Sequence, residues 1–349
     1  MKHFARALAG VCLLGGVVPG SAATLIPVPQ VPGSNGTAVF GINDSNTIVG
    51  GYYDGQNVEH GFFGSLDGAY TSFDYHAGAF FTEGRGISND GHIAGWAEPS
   101  DGSCDGVCEF VRNPDGSIVT VTKGSGPLAE GDVLQGILDS GAIAGDYYNT
   151  QLPGGYIAFV GKNGKWKQDL TPFGSADTFA RGINKAGMIV GFYADSQGHE
   201  HGFILQNGVA SQIDYPDNRV SDTYLEGIND KGLIVGNWDN SRGRTFAFEL
   251  DTGTGTFKQI KVTGARFTRA FGVNSAGLVA VSSDAGNFVY CPKKPAKCPS
   301  GGVELAGGPS IHLPAESFPH VTAASRKPAA QRRRAFRQTP HGYDRQIRP

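Results

Sequence analysis

The chain has 349 residues, a net charge of −3 and 53 glycines, about twice the usual glycine share of roughly 7 per cent. Strand-forming residues are plentiful and runs of helical period nearly absent, which excludes a helical bundle and points to a turn-rich all-β protein. Charge is divided: residues 24–325 carry 19 basic and 31 acidic side chains, whereas 326–349 carry eight basic and one acidic.

A basic start (Lys2, Arg6) is followed by an apolar run from Ala7 to Val18 and then by the small residues Ser21 and Ala23. Residues 1–23 are therefore expected to be a cleavable signal peptide, leaving a secreted or periplasmic chain. The run is too short to span a bilayer, and no later segment is long and apolar enough. Val11 before Cys12 argues against a lipid anchor.

Beyond the leader one unit recurs six times. GINDSNTIVG begins at Gly41, GISNDGHIAG at Gly86, GILDSGAIAG at Gly136, GINKAGMIVG at Gly182, GINDKGLIVG at Gly227 and GVNSAGLVAV at Gly272. A spacing of 45 to 50 residues without helical pattern points to propeller blades. Each unit reads as four short strands; in the fourth these are TFARGIN (178–184), MIVGFY (188–193), EHGFIL (200–205) and VASQID (209–214). The first turn carries Gly91, Gly141, Gly187, Gly232 or Gly277, and in the first unit Asn46. Glycine and asparagine are the residues that best accept a left-handed backbone.

The sixth unit lacks a clear fourth strand, while TLIPVP (24–29) precedes the first unit as an orphan. The expected architecture is a β-propeller over 24–291, with six four-stranded blades and the N-terminal strand closing the last, which removes a free edge. Seven blades is the alternative, because GGVELAG (301–307) offers a further strand. Residues 292–349, rich in Pro, Lys and Arg, have no periodicity and are expected to be disordered.

The repeated GIN-x-x-G-x-IVG and HGF segments resemble the HAF family of bacterial extracellular repeat proteins over Gly41–Tyr290. Units one and four match best, with GINDSNTIVGGYYDGQNVEHGF and GINKAGMIVGFYADSQGHEHGF continuing to FDY (73–75) or IDYP (213–216). Units two, three, five and six lack the histidine. The resemblance implies a secreted, β-propeller-like repeat protein and no defined reaction.

Outside the leader the cysteines are Cys104, Cys108, Cys291 and Cys298. An exported chain is expected to form two local disulfides, 104–108 and 291–298; neither spacing is the CxxC of a zinc site.

Three sets of residues are candidates for chemistry. GHEHGF (198–203) suggests a metal cluster, but in a strand His199 and His201 share a face while Glu200 points away. The position of His201 is His60, Cys108, Ile157 and Phe246 elsewhere, so it reads as a repeat marker, and no metal or cofactor is expected. Asp54, Asp195 and Asp239 follow aromatic residues in loops, where Asx-type turns explain them better than calcium. On the innermost strands, the residues one and three places before each Gly differ most between units. Of these, Glu83, Arg85, Gln135, Arg181, Tyr224, Glu226 and Arg269 are expected to line one mouth of the central channel as a ligand site. Nucleophile-elbow, P-loop and zinc-protease motifs are missing.

The leading expectation is a non-enzymatic, exported binding or interaction module for a glycan, an envelope or extracellular polymer, or a protein. The alternative is a carbohydrate-active hydrolase or lyase using Glu83 and Glu226 at the channel mouth. Nucleic acid is not expected as a partner of an exported chain, while the basic tail could contact an anionic surface.

Overall fold

The computed structural model describes residues 23–104, 106–123, 126–127, 131–149, 155–175, 177–292, 298–305 and 310–312. The leader-like residues 1–22 and the basic segment from 313 onward lie outside these. Among the described residues every regular element is a strand, and no helix is long and apolar enough to cross a membrane.

After β1 (Ala23–Val28), unit one comprises β2 (Gly36–Ile42), β3 (Ile48–Tyr53), β4 (Glu59–Gly64) and β5 (Tyr70–Phe73). Unit two comprises β6 (Phe81–Ile87), β7 (Ile93–Glu98), β8 (Cys108–Arg112) and β9 (Ile118–Thr120). Two short strands, β10 (Thr122–Lys123) and β11 (Gly126–Pro127), lead into unit three: β12 (Gly131–Ile137), β13 (Ala142–Asn149), β14 (Gly155–Lys162) and β15 (Lys165–Leu170). Unit four is β16 (Thr178–Ile183), β17 (Ile189–Ala194), β18 (Glu200–Gln206) and β19 (Val209–Ile213). Unit five is β20 (Val220–Ile228), β21 (Leu233–Asn240), β22 (Thr245–Asp251) and β23 (Thr256–Ile260). Unit six is β24 (Thr268–Val273), β25 (Val279–Ser283) and β26 (Gly286–Cys291), followed by β27 (Val303–Leu305) and β28 (Ser310–His312).

Successive strands within a unit pair antiparallel. Units one and two share a sheet only through one parallel bridge, Glu59 to Phe81. The orphan strand β1 lies antiparallel to β26 from Thr24–Cys291 to Val28–Asn287. The stretch that could have opened a further unit supplies β27, which pairs with β1, while β28 crosses to β23 of unit five. Two short strands thus fall within the segment expected to be disordered. Edge pairing accounts for them, because each covers backbone groups that no four-strand unit would otherwise cover. Both expected disulfides, Cys104–Cys108 and Cys291–Cys298, are formed.

Apolar residues bury themselves between units rather than within them. Ala94 and Val111 meet Leu134 and Phe159, and Val190 and Ile213 meet Leu225 and Phe248. The same holds from last to first: Ile26 and Val289 pack with Val39 and Phe62.

The repeated motif is explained by this packing. A Cβ on Gly41 would stand 2.8 Å from the Arg85 carbonyl oxygen and 3.3 Å from the Gly86 Cα; on Gly182, 3.2 Å from the Gly227 Cα; on Gly272, 2.8 Å from the Phe40 oxygen and 2.9 Å from the Gly41 Cα. Each glycine lets one inner strand lie against the next. The motif Asn closes its own turn and then reaches its neighbour. Asn43 Oδ1 accepts from Ser45 N (3.1 Å) and Thr47 N (2.9 Å), and its amide donates to Ser88 O at 3.1 Å. Asn184, Asn229 and Asn274 donate to Asn229 O, Asn274 O and Asn43 O. The turn residue is left-handed as expected, including Asn46 at φ 62°.

Candidate functional site

The seven inner-strand residues proposed from sequence are 1–7 % exposed and so buried. The Arg85 guanidinium lies over the Phe40 ring at 4.1 Å and near Phe271 at 5.7 Å, and these rings meet edge to face at 5.0 Å. Glu83 pairs with Arg85 and accepts from Trp96 Nε1 at 3.1 Å. Gln135 of unit three donates to the Glu226 backbone oxygen of unit five at 2.6 Å. Arg181 pairs with the fully buried Asp146 and lies 5.2 Å from Phe192, which meets Tyr224 edge to face. Arg269 acts electrostatically on Asp239 of the preceding unit. Buried cations require such partners, since an uncompensated one costs several kcal/mol. Glu83 and Glu226, each 1 % exposed, do not present carboxylates to solvent.

A more open constellation lies instead at the outer corner of the units, where the third strand begins and the fourth ends; its His and Asp side chains are 21–38 % exposed, while Tyr193 and Trp238 are buried. Register places Tyr52 opposite His60 in unit one, Tyr193 opposite His201 in unit four and Trp238 opposite Phe246 in unit five. In unit one His60 Nδ1 is 2.7 Å from Asp74 and Nε2 3.5 Å from Asp54. Unit four repeats this: His201 Nδ1 is 3.0 Å from Asp214 and Nε2 3.5 Å from Asp195. The carboxylates flank the imidazole on opposite sides, so they cannot share an ion with it. Among the described residues, no group of three or more His, Cys, Asp or Glu is placed to hold a metal.

Asp54 and Asp195 close Asx turns, accepting from Gln56 and Val58 and from Gln197 and His199. The Val58 and Gln56 N–H donors hold the Asp54 carboxyl below its ordinary value. Burial opposes the same effect at Asp195, where His199 and Gln197 prevail. Asp239 is not their counterpart. Asn240 takes that turn in unit five, accepting from Arg242 and Arg244, while Asp239 is partly buried and burial pushes its carboxyl up.

Unit five also holds a cleft of about 330 Å³ at this corner, lined by Arg244, Phe246, Gln259, Lys261 and Arg266 among others. Phe246 stacks on Trp238 at 4.3 Å, and Trp238 stacks on Tyr215 at 5.0 Å. The corner was readable as spacing, because an aromatic, an Asp or Asn two residues on, and the HGF-position residue eight residues on recur together. The second acid arrives 13 or 14 residues after the histidine, from another strand, and only register brings it in.

Glu200 turns inward, away from both flanking histidines. Burial first, then the neighbouring Asp222, Asp239 and Asp177, raise its carboxyl to about 7, against a hydrogen bond from Tyr224. A raised carboxyl favours the neutral folded form, so stability is expected to be full below its unfolded value of 4.5 and to fall between 4.5 and about 7. Glu200→Gln is expected to raise Tm at pH 8 and leave it unchanged near pH 4. Equal shifts at both pH values in a thermal-melt series would refute this.

No family model matches the chain, and no curated protein matches it in sequence. Among solved structures it is similar to a fucose-specific lectin from Aleuria aurantia in a mercury-derivative form, at 14 % identity and TM-score 0.50, covering 81 % of this chain and 98 % of that one. A mutant of the A. aurantia lectin with Fucα1-6GlcNAc (15 %, TM-score 0.49) covers 79 % of this chain and all of its own. So does the lectin described as a six-bladed β-propeller with a novel fucose recognition mode (15 %, TM-score 0.48).

Proposed function

We propose that the chain is an exported, six-bladed β-propeller that binds carbohydrate without transforming it. Closure by β1 is supported by its pairing with β26 and by the contacts that unit six makes with unit one. Asn274 donates to Asn43 O at 3.0 Å, and Ser275 N donates to Asp44 Oδ1 at 2.7 Å. Export is supported by the leader-like start and by two disulfides, which fit an oxidising compartment. Membership of the HAF-type repeat family rests on the repeated motif alone.

The observation that carries carbohydrate binding is the outer corner. At one register position in units one, four and five the fold sets a partly exposed aromatic side chain, His60, His201 or Phe246, beside hydrogen-bonding groups. In unit five these line a cleft within the roughly 300–1,000 Å³ range of small-ligand pockets. Rings take up the apolar faces of sugars, and amide and carboxylate groups take up their hydroxyls. The lectin of similar fold is fucose-specific; for this chain the proposal extends to the ligand class and not to the sugar. The burial of Glu83 and Glu226 favours binding over hydrolysis.

A glycan array on residues 24–349, with metal analysis of the same sample, tests this. Saccharide binding without bound metal is expected. No binding to any glycan, or release of reducing ends from a bound one, overturns it.

A further inference from the structure

The corner of unit five has the opposite charge to its counterparts in units one and four. Pairing aligns Gln259 with Ser72 and Gln212, so Lys261 occupies the place of Asp74 and Asp214. Phe246 replaces the imidazole held between two acids, and Arg244 stands where the other units have Val58 and His199. Arg266, from the segment leading into β24, completes the cleft.

Among the described residues Arg266 has an acidic partner, Asp284 at 2.9 Å, while neither Arg244 nor Lys261 lies in a salt bridge. Arg244 instead lies 5.5 Å from the Phe246 ring centroid, and its Nε is 3.5 Å from the Arg266 oxygen. Three cations thus line a concave site, one of them paired with Asp284, on a body whose residues 24–325 carry 12 more acidic than basic side chains. Cations gathered at a concavity concentrate counter-ions there, and a guanidinium pairs in a bidentate manner with carboxylate or sulfate. Gln259 and Phe246 add the hydrogen-bonding and ring contacts that a saccharide needs and a bare anion does not.

We propose that the cleft formed by β22, β23 and the segment before β24 binds an anionic saccharide, one bearing a carboxylate or a sulfate ester. The inference rests on the carbohydrate-binding reading and specifies its ligand class.

Calorimetry on the mature chain would compare trigalacturonate with its fully methyl-esterified form, a sulfated trisaccharide and an aspartate peptide of matched charge. The acid is expected to bind at least about tenfold more tightly than the ester, a difference of about 1.4 kcal/mol, and to weaken as salt rises. Lys261→Glu, at an exposed position, is expected to abolish that preference without lowering Tm. Lys167→Glu, the same charge change on the exposed face of β15, is the control and leaves binding unaltered. Tighter binding of the sulfated sugar than of the uronate assigns the anion as sulfate, and the reverse assigns it as carboxylate. Equal binding of the acid, its ester and the sulfated sugar overturns the anionic specification while leaving carbohydrate binding standing. Equal binding of the aspartate peptide shows recognition of charge alone and overturns the saccharide class. If no sugar binds, neutral or charged, the underlying reading fails.

Discussion

A chain beginning at Pro29, without β1, is expected to lose cooperative unfolding and to associate through the exposed edge of β26. Leu25, Ile26 and Val28 are 3–6 % exposed and pack on both faces of the sheet, against Val279 and Tyr290 on one side and Val39 and Val289 on the other. Burial of three such side chains contributes about 6 kcal/mol, comparable to the whole net stability of an ordinary domain, about 5–15 kcal/mol. The unpaired β26 would also become a template for another chain. Size-exclusion chromatography with thermal melts would test this, together with addition of the TLIPVP peptide, which is expected to restore part of the transition. A truncated monomer with unchanged Tm would refute the assignment of β1 as the closing strand. Ile26→Ala, expected to cost about 3 kcal/mol, gives a milder measure of the same contact.

Gly272→Ala is the second large effect. The three atoms nearest the new methyl would all be backbone, Phe40 O at 2.8 Å, Gly41 Cα at 2.9 Å and Ile42 N at 3.3 Å, none of which can rotate away. Overpacking of this kind costs about 3 kcal/mol, a fall in Tm of about 6–12 °C. The comparison is Gly187→Asn in the hairpin turn of unit four. Gly187 has φ 75° and open space around it, and Asn46 holds the corresponding turn at φ 62°. That variant is expected to melt within about 2 °C of the parent, on the scale of an ordinary surface change. If the two variants shift Tm equally, close strand approach is not why glycine recurs in the motif.

The repeat was legible because its causes are local. A left-handed turn residue, an alternating strand and a glycine every 45 to 50 residues are set by neighbours a few positions apart. The same reasoning separated Glu200 from His201, since alternation along a strand needs no tertiary information; His199 lies in the turn before β18. It also gave the two disulfides, whose cysteines are four and seven residues apart.

Reasoning from variability alone was less informative about where function lies. The inner positions differ between units because side chains of different size and charge must fit one another across the middle. Arg85 lies against Phe40 and Phe271, and Gln135 reaches the Glu226 backbone. Within a single strand His60 and His201 have the look of a repeat marker and nothing more. Their acidic partners come from the adjoining turn and from the end of the next strand.

The sequence by itself therefore determined the all-β class, the six-fold unit, its turns and the strand left over at the N-terminus, since each depends on short-range spacing. Only the tertiary structure decided that the inner charges are buried among partners from their own and neighbouring strands and that one corner carries the opposite sign from its counterparts. Those outcomes depend on which side chains meet across units, such as Gln135 and Glu226, 91 residues apart. Spacing within a repeat carries no information about such distances.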